Sequence, residues 1–181
     1  MLELLRETPV RELTMEAVAK RARVGKPTLY KWWPSKGALV LALFHERMAQ
    51  PPALPHLGGA EESIRARVRL VVREFNGLYG RLMAELIAEG QAEPALLQDL
   101  YDRHIGLRRT YALGEIERAK ARGELLPHTN AAVLIDEIFG AVYYRLLLRI
   151  RPFDEAWADQ VVDQAFGGLR AGEAQNGAPR T

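Results

Sequence analysis

Two prolines seven residues apart, Pro27 and Pro34, leave room between them for a helix of only about two turns. Pro27 is tolerated at a helix start, where the first amides lack intrahelical partners anyway, and Pro34 stops the same helix. So short a helix is unstable alone and must pack on something. The residues before it supply a candidate. Thr14 is a good N-cap with Glu16 in the first turn, where the helix dipole favours an anion. Leu13 and Val18 have the spacing of a hydrophobic staple, and Met15, Val18, Ala19 and Ala22 form one apolar stripe. The pattern predicts two short helices joined through Arg23-Val24-Gly25, with Gly25 as the second cap. Val24, Leu29 and Trp33 are expected to turn inward. That leaves Lys26, Thr28, Tyr30 and Lys31 outward.

The rest of the chain reads as helix with no strand. Leu2, Leu4 and Leu5 start a helical pattern that ends near Thr8-Pro9. A start in mid-helix suggests residues before Met1. Ser35 caps a helix whose stripe is Leu39, Ala42, Leu43 and Met48. Pro51 to Gly59 is the clearest linker. Helices follow over about 61–75, 78–91 and 94–123, the last ending on Gly123 as a C-cap. Asn130 to Ile150 is apolar almost all round, which requires cover on several sides. Asp154 caps a last helix with Trp157, Val161, Ala165, Phe166 and Leu169 on one face, and a disordered tail is expected from Ala171. The expectation is an all-α chain. A three-helix head over 1–50 precedes a larger helical regulatory and dimerisation domain over 51–170, with the tail over 171–181.

Charge divides the chain as well. Residues 1–50 carry nine Lys/Arg and five Glu, whereas the remainder carries 16 basic and 18 acidic groups. A basic head on a slightly acidic body suggests a polyanion at one end. An α-helix fits the major groove, and two helices joined by a short turn present the second one to it. Lys26, Thr28, Tyr30 and Lys31 can donate to phosphates or base edges, and Lys36 is placed for a phosphate. Basic residues alone describe an ordinary solvated helix. Two capped short helices with a tight turn and a proline stop favour the DNA reading.

The stretch LTMEAVAKRARVGKPTLYKWWPSKGALVLALF closely resembles the DNA-binding region of the tetracycline-repressor (TetR) family of bacterial transcription regulators. More loosely, LIAEGQAEPALLQDLYDRH, ERAKARGELLP and FGAVYYRLLL resemble helices of a TetR-type regulatory domain. The resemblance implies a homodimer on a palindromic operator of double-stranded DNA, with a small-molecule effector bound in the helical body. It implies DNA contacts at Thr14, Lys26, Pro27, Thr28, Tyr30, Trp32 and Lys36, beside the outward Lys31. It also implies a dimer made by the last two helices, about 130–150 and 154–169. Arg23 stands where the family commonly has a turn glycine, and Gly25 where it has a serine cap. A positive φ at Arg23 would cost about 1 kcal/mol.

Aromatic, flexible and polar side chains on body helices are candidate effector contacts: Phe75, Tyr79, Met83, Tyr101, His104, Arg108, Tyr111, Phe139, Tyr143 and Tyr144. At helical spacing such residues also build plain core. Arg108 would suit an acidic ligand. The four histidines (45, 56, 104, 128) lack metal-ligand spacing, there is no cysteine, and no phosphate loop or nucleophile turn stands out. No cofactor, metal or enzymatic activity is expected. With no apolar run of about 20 residues and no leader, a cytoplasmic protein is expected. The expected function is a ligand-responsive regulator, most simply a repressor. The alternative is a dimeric small-molecule binder whose shortened head no longer reads DNA.

Overall fold

The computed structural model describes residues 2–48 and 58–169, which are helical with no β-strand among them. The helices are α1 (Leu2–Glu7), α2 (Met15–Ala22), α3 (Lys26–Trp32), α4 (Lys36–Met48), α5 (Ala60–Phe75), α6 (Leu78–Ala92), α7 (Pro94–Leu100), α8 (Gly106–Ala121), α9 (Ala131–Leu148) and α10 (Glu155–Phe166). A 3₁₀ turn at Val10–Glu12 precedes α2, and a π-helical turn at Tyr101–Ile105 joins α7 to α8. Most of the expected linker, and all of the expected tail from Ala171, lie outside the described residues. The described residues form two compact units, 2–48 with 77–107 and 58–76 with 108–169.

In the first unit, Leu5, Val10, Leu13, Met15, Val18 and Leu29 are buried. Leu13 and Val18, the expected staple pair, are both among them. The Thr14 hydroxyl accepts from the Ala17 amide at 3.1 Å, and the Ser35 hydroxyl caps α4 at the Ala38 amide, 3.0 Å away. The expected α4 stripe needs correction. Leu39, Val40, Leu41 and Phe44 are buried, whereas Ala42 and Leu43 are only half-buried. The side chain of Met48 lies outside the described residues. The reason is that α4 packs against α6, α7 and the 3₁₀ turn, so it is covered on more than one side. Ala22 and Val24, both expected inward, are exposed. Ala22 closes the last turn of α2 and Val24 sits in the connection itself, past the reach of the stripe.

The helix expected over 94–123 is interrupted by the π turn. A Cβ placed on Gly106 would lie 3.0 Å from the Tyr101 carbonyl oxygen, so this close backbone approach favours glycine there. Gly123 ends α8 at φ +76°, as a C-cap requires.

The second unit packs α10 on α5 and α9. Arg65, Arg69 and Arg73, one turn apart on α5, meet Asp163, Asp159 and Glu155 on α10, at 2.6, 2.6 and 2.7 Å. This antiparallel ladder of charge-assisted hydrogen bonds fixes which side of α10 faces α5. The Arg69 guanidinium holds the Asp159 carboxyl below the usual carboxylate range, against the opposing effect of burial. Asn76 closes the end of the pair, donating to the Phe153 carbonyl and accepting from its amide at 2.8 and 3.0 Å. The buried stripe of α10 is consequently Ala158, Val162 and Phe166. Of the residues expected on one face, Phe166 is buried and Trp157, Val161, Ala165 and Leu169 are half-buried. The ladder fixes Ala158, Val162 and Phe166 as the inward stripe.

Candidate nucleic-acid interface

The α2–α3 connection turns on a single residue. Arg23 adopts φ 56°, ψ 39°, in the left-handed region, and its amide donates to the α2 carbonyls of Ala19 and Lys20. This is a helix C-cap made without glycine. Gly25 then caps α3 in extended conformation with no side-chain hydrogen bond, and Pro27 follows in the first turn. At the far end the Trp33 amide donates to the Leu29 carbonyl at 2.9 Å, just before Pro34. Leu29 is the buried residue of α3.

All other α3 positions are exposed. Tyr30 is 51% and Trp32 68% accessible, with Lys26, Pro27, Thr28 and Lys31 beside them. Thr14 is exposed as well, its hydroxyl engaged as the α2 cap. Lys26 pairs with Glu16 across the turn. Lys36 is engaged within the unit, donating to the Arg11 carbonyl at 2.9 Å and lying 3.4 Å from Glu89. Glu89 belongs to α6, so local sequence gave no hint of this pairing. Trp33 is half-buried and, with Val18, Leu29, Leu39 and Leu43, lines an apolar hollow of about 290 Å³ rimmed by Arg21 and Glu46.

The candidate effector residues fall in both units. In the first, the Tyr79 hydroxyl is hydrogen-bonded to the His104 ring, and Phe44 stacks on Tyr79 at 4.9 Å. Tyr79, Met83 and His104 are buried, whereas Tyr101 is exposed on the π turn. The neighbouring His45 ring has its pKa lowered, first by burial and also by Arg103, with Asp99 acting the other way. In the second unit, Phe75 meets Tyr143 edge-on at 5.7 Å, and Arg108 pairs with Glu74 at 2.9 Å. Tyr111 is exposed, Phe139 is half-buried, and Tyr144 stands in solvent on α9. Sequence reading passed over Arg67, whose guanidinium lies 3.7 Å from the centre of the Tyr111 ring. An arginine on a charged helix face gives no signal of its own.

Residues 2–43 match the family described as bacterial regulatory proteins, tetR family, and residues 54–165 match the tetracyclin repressor-like C-terminal domain. The chain belongs to the TetR family. The HTH-type transcriptional regulator YdeS of Bacillus subtilis (strain 168) is 30% identical over 172 residues, 95% of this chain and 87% of that protein. The HTH-type transcriptional regulator UidR of Escherichia coli (strain K12) is 26% identical over 149 residues, 77% of this chain and 74% of UidR. The crystal structure of the TetR family transcription regulator SCO0332 superposes with a TM-score of 0.67 at 32% identity, covering 92% of each chain.

As a TetR-family DNA-binding transcriptional regulator, the protein carries its helix-turn-helix in α2 and α3. The second TetR region holds a second outward face. On α9, Val133, Tyr144, Leu147 and Leu148 are exposed, and a Cβ on Gly140 would meet nothing within 4 Å. Glu137 and Ala141 of α9 and Trp157, Val161 and Ala165 of α10 line a shallow groove along it. Among the described residues no helix is long and apolar enough to cross a membrane.

Proposed function

We propose that this TetR-family regulator acts as a homodimeric repressor, in which residues 1–50 read a palindromic operator and residues 51–170 pair the subunits and bind a small-molecule effector. The observation that carries the reading is the exposed face of α3. It presents Lys26, Thr28, Tyr30, Lys31 and Trp32 around the one buried side chain, Leu29. Phosphate contacts from lysines position such a helix, while Thr28 and Tyr30 reach base edges and thymine methyls. Thr14, Pro27 and Lys36 flank this face. Two copies joined through α9 and α10 present two such helices to half-sites one helical turn or more apart. The effector then shifts the population toward a head spacing that no longer fits the operator.

The test is selection from random-sequence DNA with the purified full chain. Enrichment of a palindrome, with retention that weakens steeply as salt rises, supports the reading. Recovery of no enriched sequence, or retention indifferent to salt, overturns it.

A further inference from the structure

Within the first unit, α6 grips the N-terminal helices at points one turn apart. Arg81 donates to the Leu5 carbonyl of α1. Glu85 accepts from the Val10 amide of the 3₁₀ turn at 2.9 Å. Glu89 lies 3.4 Å from the Lys36 ammonium. Just past the last turn, Glu93 accepts from the Ser35 hydroxyl at 3.1 Å, and the same hydroxyl caps α4. A spacing of four residues keeps such side chains on one side of a helix. The first turn of α4 is seated closely there, since a Cβ on Gly37 would fall 2.6 Å from Leu96 Cδ2.

These contacts are not equivalent. Arg81 and Glu85 satisfy backbone groups, and Glu93 holds a capping hydroxyl, so all three serve the fold. Glu89 faces a cation instead. The Lys36 ammonium has three N–H donors, and one goes to the Arg11 carbonyl at 2.9 Å. That carbonyl is neutral, so it anchors the side chain without cancelling its charge. The charge is met by Glu89, and among the described residues no other carboxylate lies within ion-pair distance of Lys36. The two side chains are 28% and 27% exposed, which leaves the pair within reach of salt and of a displacing anion. Lys36 also opens α4, where the helix dipole favours negative charge.

We infer that Glu89 is an internal competitor of DNA phosphate, occupying Lys36 in the unbound protein and giving way when that lysine meets the duplex backbone. The inference rests on the DNA reading above, which takes Lys36 as a phosphate contact. The Arg11 carbonyl keeps the ammonium in place during the exchange, so one ion pair is traded for another and α4 stays where it is. Phosphates are common to every sequence, so the competitor weakens the hold on all DNA alike.

The test compares Glu89→Gln and Glu85→Gln with the parent full chain, in gel retardation on the selected palindrome and on random duplex over a salt series. Each variant removes one negative charge from the same side of α6, so net charge changes equally. Glu89→Gln is expected to tighten both DNAs by about two- to fivefold, the range of a part-exposed ion pair, and to steepen the salt slope by up to about 1. Glu89→Ala, measured beside it, should do the same without the hydrogen bond that the amide retains. Glu85→Gln weakens the acceptor for the Val10 amide, so it should lower Tm and leave the slope unaltered. Lys36→Ala in the Glu89→Gln background should abolish the gain and match Lys36→Ala alone. An unchanged slope in Glu89→Gln, an equal gain in Glu85→Gln, or a gain that survives Lys36→Ala overturns the inference, while retention by the parent upholds the DNA reading. Retention by Glu89→Gln and not by the parent supports both, and retention by neither refutes both.

Discussion

α3 and α9 both leave large side chains in solvent, but they do so among different neighbours. Tyr30 and Trp32 on α3 stand among Lys26, Thr28 and Lys31. Val133, Tyr144, Leu147 and Leu148 on α9 stand beside Gly140 and Ala141, on a helix that is apolar almost throughout. Exposure of large apolar groups marks a surface that awaits a partner. The residues between them tell which kind. Cations and hydroxyls suit a polyanion with hydrogen-bonding edges, whereas small residues let another helix approach closely. The two helices also differ in support. α3 buries one residue and depends on its caps and on α2, while α9 buries six. α3 is thus the more easily perturbed of the two.

The largest expected effect comes from breaking the apolar face. Tyr144→Glu puts a charge on a side chain that is 61% accessible in the single chain, so the fold should be retained. A dimer through α9 and α10 would separate, and operator affinity would fall by about 10²–10⁴ as the second half-site contact ceases to be intramolecular. Sedimentation together with gel retardation checks both parts, and an intact dimer would place the subunit interface elsewhere. Next in size is the reading face. Tyr30→Ala should weaken binding to the selected palindrome by about 1–3 kcal/mol and change binding to random DNA far less. Salt titrations then sharpen the division among the lysines. Lys31→Ala should lower the salt slope by about 1. Lys36→Ala should weaken binding to all DNA but lower the slope by less, because Lys36 is already held by the Arg11 carbonyl and Glu89.

Local chemistry carried much of this into view. Thr14, Ser35 and Asp154 act as the side-chain caps their positions predict, and the breaks at Pro34, Asn76-Gly77 and Gly123 fall where backbone rules require them. What escaped was set by partners distant in sequence. The ladder between α5 and α10 joins residues more than eighty positions apart, and it decides which stripe of α10 is inward. Apolar periodicity cannot choose between two faces of α10 that are both partly apolar. For the same reason the observed stripe of α4 differs from the expected one, since a helix covered on more than one side has no single stripe. The outward set on α3 follows from Pro27, Pro34 and Leu29 alone. The engagement of Lys36 depends on α6, and the stacking of Arg67 on Tyr111 depends on α8.

The smallest expected effect returns to the two helices through their ends. α2, which presents α3, closes on Arg23 at φ 56°, and α9 closes on Arg149 at φ 51°. These are the non-glycine residues with positive φ among the described residues. A side chain in this region carries a penalty of about 1 kcal/mol, which glycine lacks, although glycine gives back part of it through the greater freedom of the unfolded chain. Arg23→Gly and Arg149→Gly should therefore each raise Tm by up to about 2–4 °C in calorimetry. DNA binding separates them. Arg149→Gly removes a charge from the end of α9 and should leave operator retention and its salt slope unaltered. Arg23→Gly relaxes the connection that aims α3 and removes a cation beside it, so retention should change even as stability rises. Equal DNA behaviour of the two variants would mean that the left-handed turn at Arg23 is a stability defect with no bearing on how α3 is presented.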